Sequence, residues 1–297
     1  MTPTLVRRQL PQPGAASPSR TEGTDARARA RDWAEIQERM LVPLYEEAYD
    51  RLEIGPGTRL LGLGCGSGLA LLLAASRGAT VTGVEPAAPE RLALAHERLL
   101  PGPAPAARAE HAQLAGHTHL LAHDVDQAAT AAELPPYNLV TAFQPIGCAA
   151  GDSDCLAALL KRAAPLAEHG APVVLAGWGP PERCTTSSVL RVASRLADPL
   201  RASGGWRPAL RDDLEEVAQR AGLRPDGSGR VACPFGYADL DSAVRGLLST
   251  GLFETAIEAT DPAQVTKELA EALHPHVRRD GTVWMANVFR YLIARTR

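Results

Sequence analysis

The sequence predicts an α/β fold in which a doubly wound, mostly parallel sheet carries helices on both faces. From about residue 59 to residue 178, short apolar runs of strand length alternate with segments of helical periodicity. Strict alternation of this kind implies right-handed crossovers between parallel strands. A glycine-rich segment directly follows the first of these strands, at the edge where parallel sheets bind ligands. The chain has 297 residues, 45% of them hydrophobic, so it can bury a large core without disulfides.

The part of the chain before the sheet divides into a tail and a helix. Residues 1–30 are rich in Pro, Gly, Ser and Arg and lack apolar periodicity, which predicts a mobile tail. A helix is expected from Asp32, a candidate N-cap with Glu35 as its capping-box partner. Apolar residues then recur at helical spacing as far as Ala48, and Gly55-Pro56-Gly57 ends the segment.

The alternating units are assigned from their periodicity and from the turn residues that separate them. Strands are expected at 59–63, 80–84, 120–123, 139–143 and 172–178. Helices are expected at 69–76, 89–100 and 155–167, the second of them opened by a proline in its first turn. The helices supply the crossovers that a parallel sheet requires.

The remainder of the chain is more helical. A helix is predicted at 214–221, a sixth strand at 229–233, and two or three helices within 239–276. The final alternating run at 282–294 predicts a long closing strand.

These elements predict one domain over residues 31–297. Its core comprises about 51–235 and 282–297. The helices within 31–50 and 239–276 are not needed to cover the sheet, so we expect them to form a helical lid over its carboxyl edge.

Composition excludes several classes of protein. The net charge of −3 lacks the basic excess of a nucleic-acid binder. No apolar run approaches the roughly 20 residues that span a bilayer. Arg7-Arg8 is followed by Pro11, Pro13 and Gly14 rather than by the apolar stretch of an export signal. We therefore expect a cytoplasmic protein, monomeric or homodimeric, with no nucleic-acid or membrane partner.

Neither the cysteines nor the histidines predict a metal site. The five cysteines are widely spaced and contain no C-x-x-C pair, so reduced thiols are expected. Four histidines cluster at positions 111, 117, 119 and 123, but no cysteine or carboxylate lies at ligand spacing. The cluster is interpreted as solvated loop histidines, with a catalytic base as the alternative.

The most informative segment is Leu60–Gly68, which reads LLGLGCGSG. Glycines there let the backbone turn tightly after a strand and approach a ligand. The dinucleotide fingerprint G-x-G-x-x-G fails, because its third position falls on Leu69 counted from Gly64 and on Ser67 counted from Gly62. No Gly-Lys-Ser/Thr of a P-loop follows. The spacing G-x-G-x-G fits a nucleoside ligand without a pyrophosphate.

A second chemical signal stands at the end of the second strand. Glu85 lies 21 residues after Gly64, where a carboxylate can accept both ribose hydroxyls and would repel a 2′-phosphate. Taken alone, it would be read as a surface glutamate at a strand end. Together with the glycine loop at this spacing, it is interpreted as a ribose ligand.

At these residues the chain resembles class I S-adenosylmethionine-dependent methyltransferases of the small-molecule, UbiE-like (type 11) kind. The resemblance begins with Leu60–Gly68, against that family's hydrophobic-Asp-x-Gly-x-Gly-x-Gly loop, and with Glu85, its ribose acid. It continues through the helix and strand segments Pro89–Ala95, His123-Asp124-Val125, Tyr137–Gln144, Gly170–Trp178 and Phe289–Ala294. It is strong over about residues 31–180 and weak beyond them.

The resemblance implies a fold, a cofactor and a reaction. The fold is a Rossmann-like sheet of seven strands with a reversed final strand. The cofactor is S-adenosylmethionine, and the reaction is in-line methyl transfer to a small-molecule acceptor, which mainly requires alignment and exclusion of water. The implied cofactor-binding residues are Gly62, Gly64, Cys65, Gly66 and Gly68 of the loop, Glu85 with Pro86, Asp124 with Val125 at the adenine, and Phe143 with Gln144 at the methyl group or the acceptor. Candidate catalytic residues are His117, His119 and Gln144.

Two departures from the family pattern bear on the expected activity, and the first of them motivates an alternative. Gly62 replaces an acid that helps to orient the cofactor, a charge-assisted contact worth about 1.5–3 kcal/mol. Asn138 replaces the usual Asp before the fourth strand. The alternative is a cofactor-binding relative without methyl transfer, acting as an accessory subunit, a sensor or a non-methylating catalyst. A nicotinamide oxidoreductase is disfavoured by the glycine spacing.

One further pair of residues has two interpretations. Trp33 and Gln37 on the leading helix are placed either to cap the cofactor or to pack as part of an amphipathic face.

Overall fold

The structure is a computed structural model that describes residues 20–100, 118–121, 125, 136–197 and 207–297. Within these ranges the strands are β1 Arg59–Leu63, β2 Thr80–Val84, β3 Thr118–Leu121, β4 Leu139–Ile146, β5 Pro172–Trp178, β6 Arg224–Ala232, β7 Phe235–Tyr237, β8 Val283–Met285 and β9 Val288–Arg295. The α-helices are α1 Arg20–Asp32, α2 Val42–Arg51, α3 Leu69–Ser76, α4 Pro89–Leu99, α5 Asp152–Ala163, α6 Thr186–Leu196, α7 Asp213–Arg220, α8 Leu240–Leu248, α9 Glu254–Ala259 and α10 Pro262–Leu273.

Seven strands form one sheet in the order β3-β2-β1-β4-β5-β9-β6. The strands β1 to β5 pair in parallel, whereas β9 runs antiparallel to both of its neighbours, β5 and β6. The predicted α/β fold and its reversed final strand are therefore confirmed. The strand order reverses between β1 and β4, since β2 and β3 lie on one side of β1 while β4 and β5 lie on the other. The carboxyl end of β1 therefore lies at the topological switch point where open sheets bind ligands.

Helices cover both faces of the sheet, and alternate side chains of each strand point to opposite faces. Leu60 of β1 packs in the apolar cluster that includes α2, α3 and α4. The next residue, Leu61, packs in the cluster that includes α5 and α7. This arrangement explains why the parallel strands are continuous apolar runs rather than alternating ones.

Several predicted boundaries move. The third strand already includes Thr118 and His119, before its predicted start at residue 120, while residues 122 and 123 lie outside the described ranges. The sixth strand begins at Arg224 rather than at 229. The predicted closing strand 282–294 is wrong as a single element, because it breaks into β8 and β9. At the break, the buried Asn287 side chain accepts from the Thr186 N–H at 3.2 Å and donates to its hydroxyl at 2.9 Å. Residues 286 and 287 therefore separate the two strands, and Asn287 bonds to α6.

The segment before the sheet differs most from the sequence expectation. Residues 20–30, expected to belong to the tail, form most of α1, and Ala30 is buried. The predicted N-cap at Asp32 is wrong, because α1 leads into a π-helical turn at Trp33–Gln37 without a helix start to cap. Asp32 forms an ion pair with Arg245 of α8 instead.

Two short turns connect α1 to α2, the π-helical turn Trp33–Gln37 and a 3-10 turn at Glu38–Leu41. We call residues 33–41 the connecting segment. It packs against α8, and the Tyr237 hydroxyl of β7 donates to Gln37 at 2.9 Å. Gln37 is therefore packed and bonded away from the seven-stranded sheet.

Among the helices of the described ranges, none combines the length and the apolar character that a membrane-spanning helix requires.

Candidate functional site

The glycine loop occupies the carboxyl end of β1, as the sequence predicts. Gly64, Gly66 and Gly68 have φ angles of 61°, 58° and 78°, a left-handed conformation that residues with a Cβ seldom adopt. The alternation folds the backbone into a tight turn before α3, and the Cys65 N–H donates to the Val84 carbonyl of β2 at 3.1 Å. The loop is thereby held against the end of β2.

Glu85 follows β2 directly and faces this loop. Its side chain is buried, and its Oε2 atom accepts the Gly66 N–H at 2.9 Å. Burial raises the pKa of Glu85, while the Gly66 N–H and the Arg91 guanidinium oppose the rise. A carboxylate held in this way presents an acceptor at the loop, where the sequence predicts a ribose ligand.

The pKa of Glu85 leads to a prediction about stability. An acid whose pKa is raised by folding binds more protons in the native state, so lowering the pH through that window stabilises the fold. From about pH 7 to about pH 5, we expect the unfolding free energy of the natural chain to rise relative to that of Glu85→Gln. Denaturant titrations at stepped pH measure this difference. The exposed Glu46→Gln is the control, and a flat or inverted difference for Glu85→Gln contradicts the prediction.

A second buried carboxylate, Glu38 of the connecting segment, was not predicted. Its Oε1 accepts the Ser67 N–H at 3.3 Å, and its Oε2 accepts from the Ser67 hydroxyl and from Arg98 of α4, the latter at 3.1 Å. Burial raises the pKa of Glu38, against the hydrogen bond from Ser67 and the charge of Arg98. Glu38 thus ties the connecting segment, the glycine loop and α4 together.

Trp33 completes the cover over the loop. The Arg91 guanidinium stacks 4.3 Å from the centre of its ring and donates to the Ser249 carbonyl at 2.7 Å. The indole Nε1 of Trp33 is buried and has no hydrogen-bond partner among the residues that the structure describes. A Cβ built on Gly66 would lie 3.2 Å from this nitrogen and 2.9 Å from Glu38 Oε1. The connecting segment therefore lies directly on the loop.

These groups enclose a small cavity of about 30 Å³. The predicted site residues that line it are Gly62, Gly64, Cys65, Gly66, Glu85, Phe143 and Gln144. The volume suffices for about one water molecule. A nucleoside reaches the loop only if the connecting segment moves away from it.

The other predicted residues that the structure describes do not line this cavity. Gly68 faces α4, because a Cβ there would lie 3.0 Å from Ala95. Pro86 and His119 are exposed and do not line the cavity, while Val125 is buried. Asp124 and His117 lie outside the described residues. Among the residues that the structure describes, no three metal-ligating side chains come together.

The two departures from the family pattern have structural explanations. A Cβ on Gly62 would lie 2.8 Å from Leu71 Cδ2, so Leu71 fills the space that a side chain at position 62 would need. Asn138 accepts the Arg59 N–H at 2.7 Å and donates to the Gly57 carbonyl at 3.0 Å. A carboxylate could not make the second bond.

The Gly62 contact predicts a packing penalty. We expect Gly62→Ala to lower the free energy of unfolding by about 1–3 kcal/mol, because the added methyl overpacks against Leu71. Urea titration measures it. Gly55→Ala is the matched control, because a Cβ there approaches no atom closer than 3.8 Å. Equal stability of the two variants would show that the Leu71 side chain moves aside without cost, which would contradict the prediction.

No family model and no curated protein matches the chain. Solved structures resemble it. An inferred methyltransferase from Bacillus halodurans C-125 is 12% identical, with 84% of this chain and 97% of that one covered and a TM-score of 0.49. The geranyl diphosphate C-methyltransferase of Streptomyces coelicolor A3(2), solved with Mg²⁺, geranyl diphosphate and S-adenosyl-L-homocysteine, is 13% identical over 88% and 80% at TM-score 0.45. The cyclopropane synthase MmaA2 of Mycobacterium tuberculosis is 13% identical over 92% of this chain and 84% of that one, at a TM-score of 0.45. At such low identity these similarities concern the fold alone.

Proposed function

We propose that this chain is an S-adenosylmethionine-dependent methyltransferase that acts on a small-molecule acceptor. The observation that carries the proposal is the buried carboxylate of Glu85, bonded to the glycine loop at the switch point of the sheet. The spacing of the loop disfavours a dinucleotide, and an acid at the end of β2 suits a nucleoside with free ribose hydroxyls.

The residues present fit this cofactor chemically. Glu85 would accept the ribose hydroxyls, and the loop glycines permit close approach of the ligand to the backbone. The unpartnered Nε1 of Trp33 offers a buried donor over the loop. Phe143 and Gln144, which line the same cavity, would bound the acceptor side.

The chemistry requires little more from the chain than position. When bound, the cofactor supplies a methyl group on a sulfonium; the acceptor's lone pair forms the new bond to carbon, and the sulfur keeps the electron pair of the bond that breaks. The chain aligns the two partners and excludes water, which can account for a large part of the rate enhancement. No covalent nucleophile is needed.

The closed cavity requires a movable cover. We propose that the segments 31–50 and 239–276 form this lid, with the connecting segment as its inner surface. In support, Arg245 of α8 forms an ion pair with Asp32, which links the two segments directly. The Ser249 carbonyl, just after α8, accepts from Arg91 of α4, whose guanidinium also stacks on Trp33. The change from π-helical to 3-10 turns between α1 and α2 interrupts a continuous helix at the point where it would bend.

The alternative function is cofactor binding without methyl transfer. It is favoured by one observation, the absence of an acid at Gly62, whose place is taken by Leu71. Accessory subunits, sensors and non-methylating catalysts all belong to this alternative.

Calorimetry with S-adenosylhomocysteine tests the proposal first, and a release assay for S-adenosylhomocysteine across candidate acceptors tests it second. Binding followed by acceptor-dependent release supports methyl transfer. Binding with no release from any acceptor favours the alternative. Absence of binding at millimolar ligand contradicts both.

A further inference from the structure

A second, larger cavity lies at the same edge of the sheet. It has a volume of about 560 Å³, within the range of small-molecule sites. Trp178 at the end of β5 and Val288 at the start of β9 line it, together with Leu210, which precedes α7. We call it the arginine groove, because Arg183, Arg211, Arg230 and Arg290 also line it.

Four arginines line the groove against a single carboxylate. They are Arg183, Arg211, Arg230 and Arg290, and the carboxylate is Glu182. The guanidinium of Arg290 already has partners, because it donates to Glu215 of α7 at 2.7 Å and to the Arg211 carbonyl. The guanidinium groups of the other three have no hydrogen bond or ion pair within the described parts of the chain. The groove therefore has unpaired positive charge.

The register of the sheet also places two of these arginines opposite one another. Arg230 of β6 is the direct cross-strand partner of Arg290 of β9. Like charges placed opposite one another on antiparallel strands destabilise the pair. An anion between them would remove that cost, and guanidinium groups bind carboxylates and phosphates through two parallel hydrogen bonds.

The floor of the groove is apolar. Leu210 is 61% exposed there, and Trp178 of β5 and Val288 of β9 are half-buried. An exposed leucine beside an aromatic ring favours a ligand that carries an apolar body.

The groove lies within reach of the glycine loop. Gln144 of β4 lines the small cavity, and Ile146 of β4 pairs with Gly177 of β5, which pairs with Arg290 of β9. Two to three strand spacings, roughly 10–14 Å, separate β4 and β1 from β9. A small molecule anchored at the arginines can extend toward the loop over this distance.

We propose that the arginine groove binds the acceptor, and that the acceptor is an anionic small molecule with an apolar body and a carboxylate or phosphate group. Only the identification of this ligand as the methyl acceptor rests on the proposed function. The binding of an anion rests on the residues of the groove alone.

The test compares three probes of one shape by calorimetry: 2-naphthoate, 2-naphthyl phosphate and the uncharged 2-naphthamide. We expect at least one of the anions to bind tenfold or more tightly than the amide, and the tighter of the two identifies carboxylate or phosphate. Inorganic phosphate alone should bind at least tenfold more weakly than the better probe, because it does not contact the apolar floor.

Matched variants assign the binding to the groove. The double variant Arg183→Gln/Arg230→Gln should lose at least tenfold in affinity for the anions. The control double variant Arg224→Gln/Arg279→Gln removes the same charge from exposed sites outside the groove and should lose less than twofold. Equal binding of amide and anions, or equal loss in the two double variants, overturns the proposal.

The S-adenosylhomocysteine affinity of the same proteins separates the two proposals. It should be unchanged in both double variants. If the anions bind as expected and S-adenosylhomocysteine does not, the anion site stands and the proposed function fails. If S-adenosylhomocysteine binds and the anions do not, the groove is not the acceptor site and only the proposed function stands.

Discussion

Replacing Glu38 by alanine should lower the free energy of unfolding by about 3 kcal/mol, the lower end of the range for breaking a buried ion pair. The side chain of Glu38 is 3% exposed and that of its partner Arg98 is 23% exposed. The change leaves a largely buried guanidinium without its carboxylate and the Ser67 N–H without its acceptor. Because Arg98 retains some contact with water, the cost stays below the upper end of the range.

Denaturant titration of the natural chain and of three variants measures this effect. Glu35→Ala is the matched control, since Glu35 lies one helical turn earlier on the same segment and is exposed, so we expect a change within about 0.5 kcal/mol. Glu38→Gln keeps the shape and one acceptor and should fall between the two. If Glu38→Ala costs no more than Glu35→Ala, then Glu38 does not hold the connecting segment on the loop.

The substitution Glu85→Ala should weaken the binding of S-adenosylhomocysteine by tenfold or more. A carboxylate that accepts two ribose hydroxyls makes charge-assisted hydrogen bonds, each worth about 1.5–3 kcal/mol. Titration calorimetry measures the affinity, and a thermal melt of each variant shows that it is folded. The matched control is Glu90→Ala in the first turn of α4, which does not line the cavity and should bind as the natural chain does.

Unchanged affinity in Glu85→Ala would remove Glu85 from the site. Equal weakening in Glu85→Ala and Glu90→Ala would point to a general effect on the region rather than to a contact with ribose.

The sequence was sufficient for the parts of the site that depend on local chain geometry. Glycines at positions 64, 66 and 68 permit the tight turn that the sequence predicts, and the structure uses this freedom with a left-handed backbone at all three positions. Glu85 follows a strand that the apolar pattern of residues 80–84 predicts, and parallel pairing then places it beside the loop.

Tertiary contacts decided what the sequence could not show. Glu38 becomes a site residue only because Arg98, 60 residues away, meets it at Ser67. No local pattern marks that meeting in the sequence. Likewise Asp32 has the residue type of an N-cap, but α1 continues through it and Arg245 takes its carboxylate. Long-range partners override local propensity in both cases.

A crystal structure of the chain with S-adenosylhomocysteine would show whether Glu85 binds the ribose of this nucleoside. We expect the ribose hydroxyls within hydrogen-bond distance of the Glu85 carboxylate, and Trp33 and Glu38 displaced from Gly66. A nucleoside that, at saturating concentration, leaves Glu38 bonded to Ser67 and occupies no position beside Glu85 would contradict the proposed function.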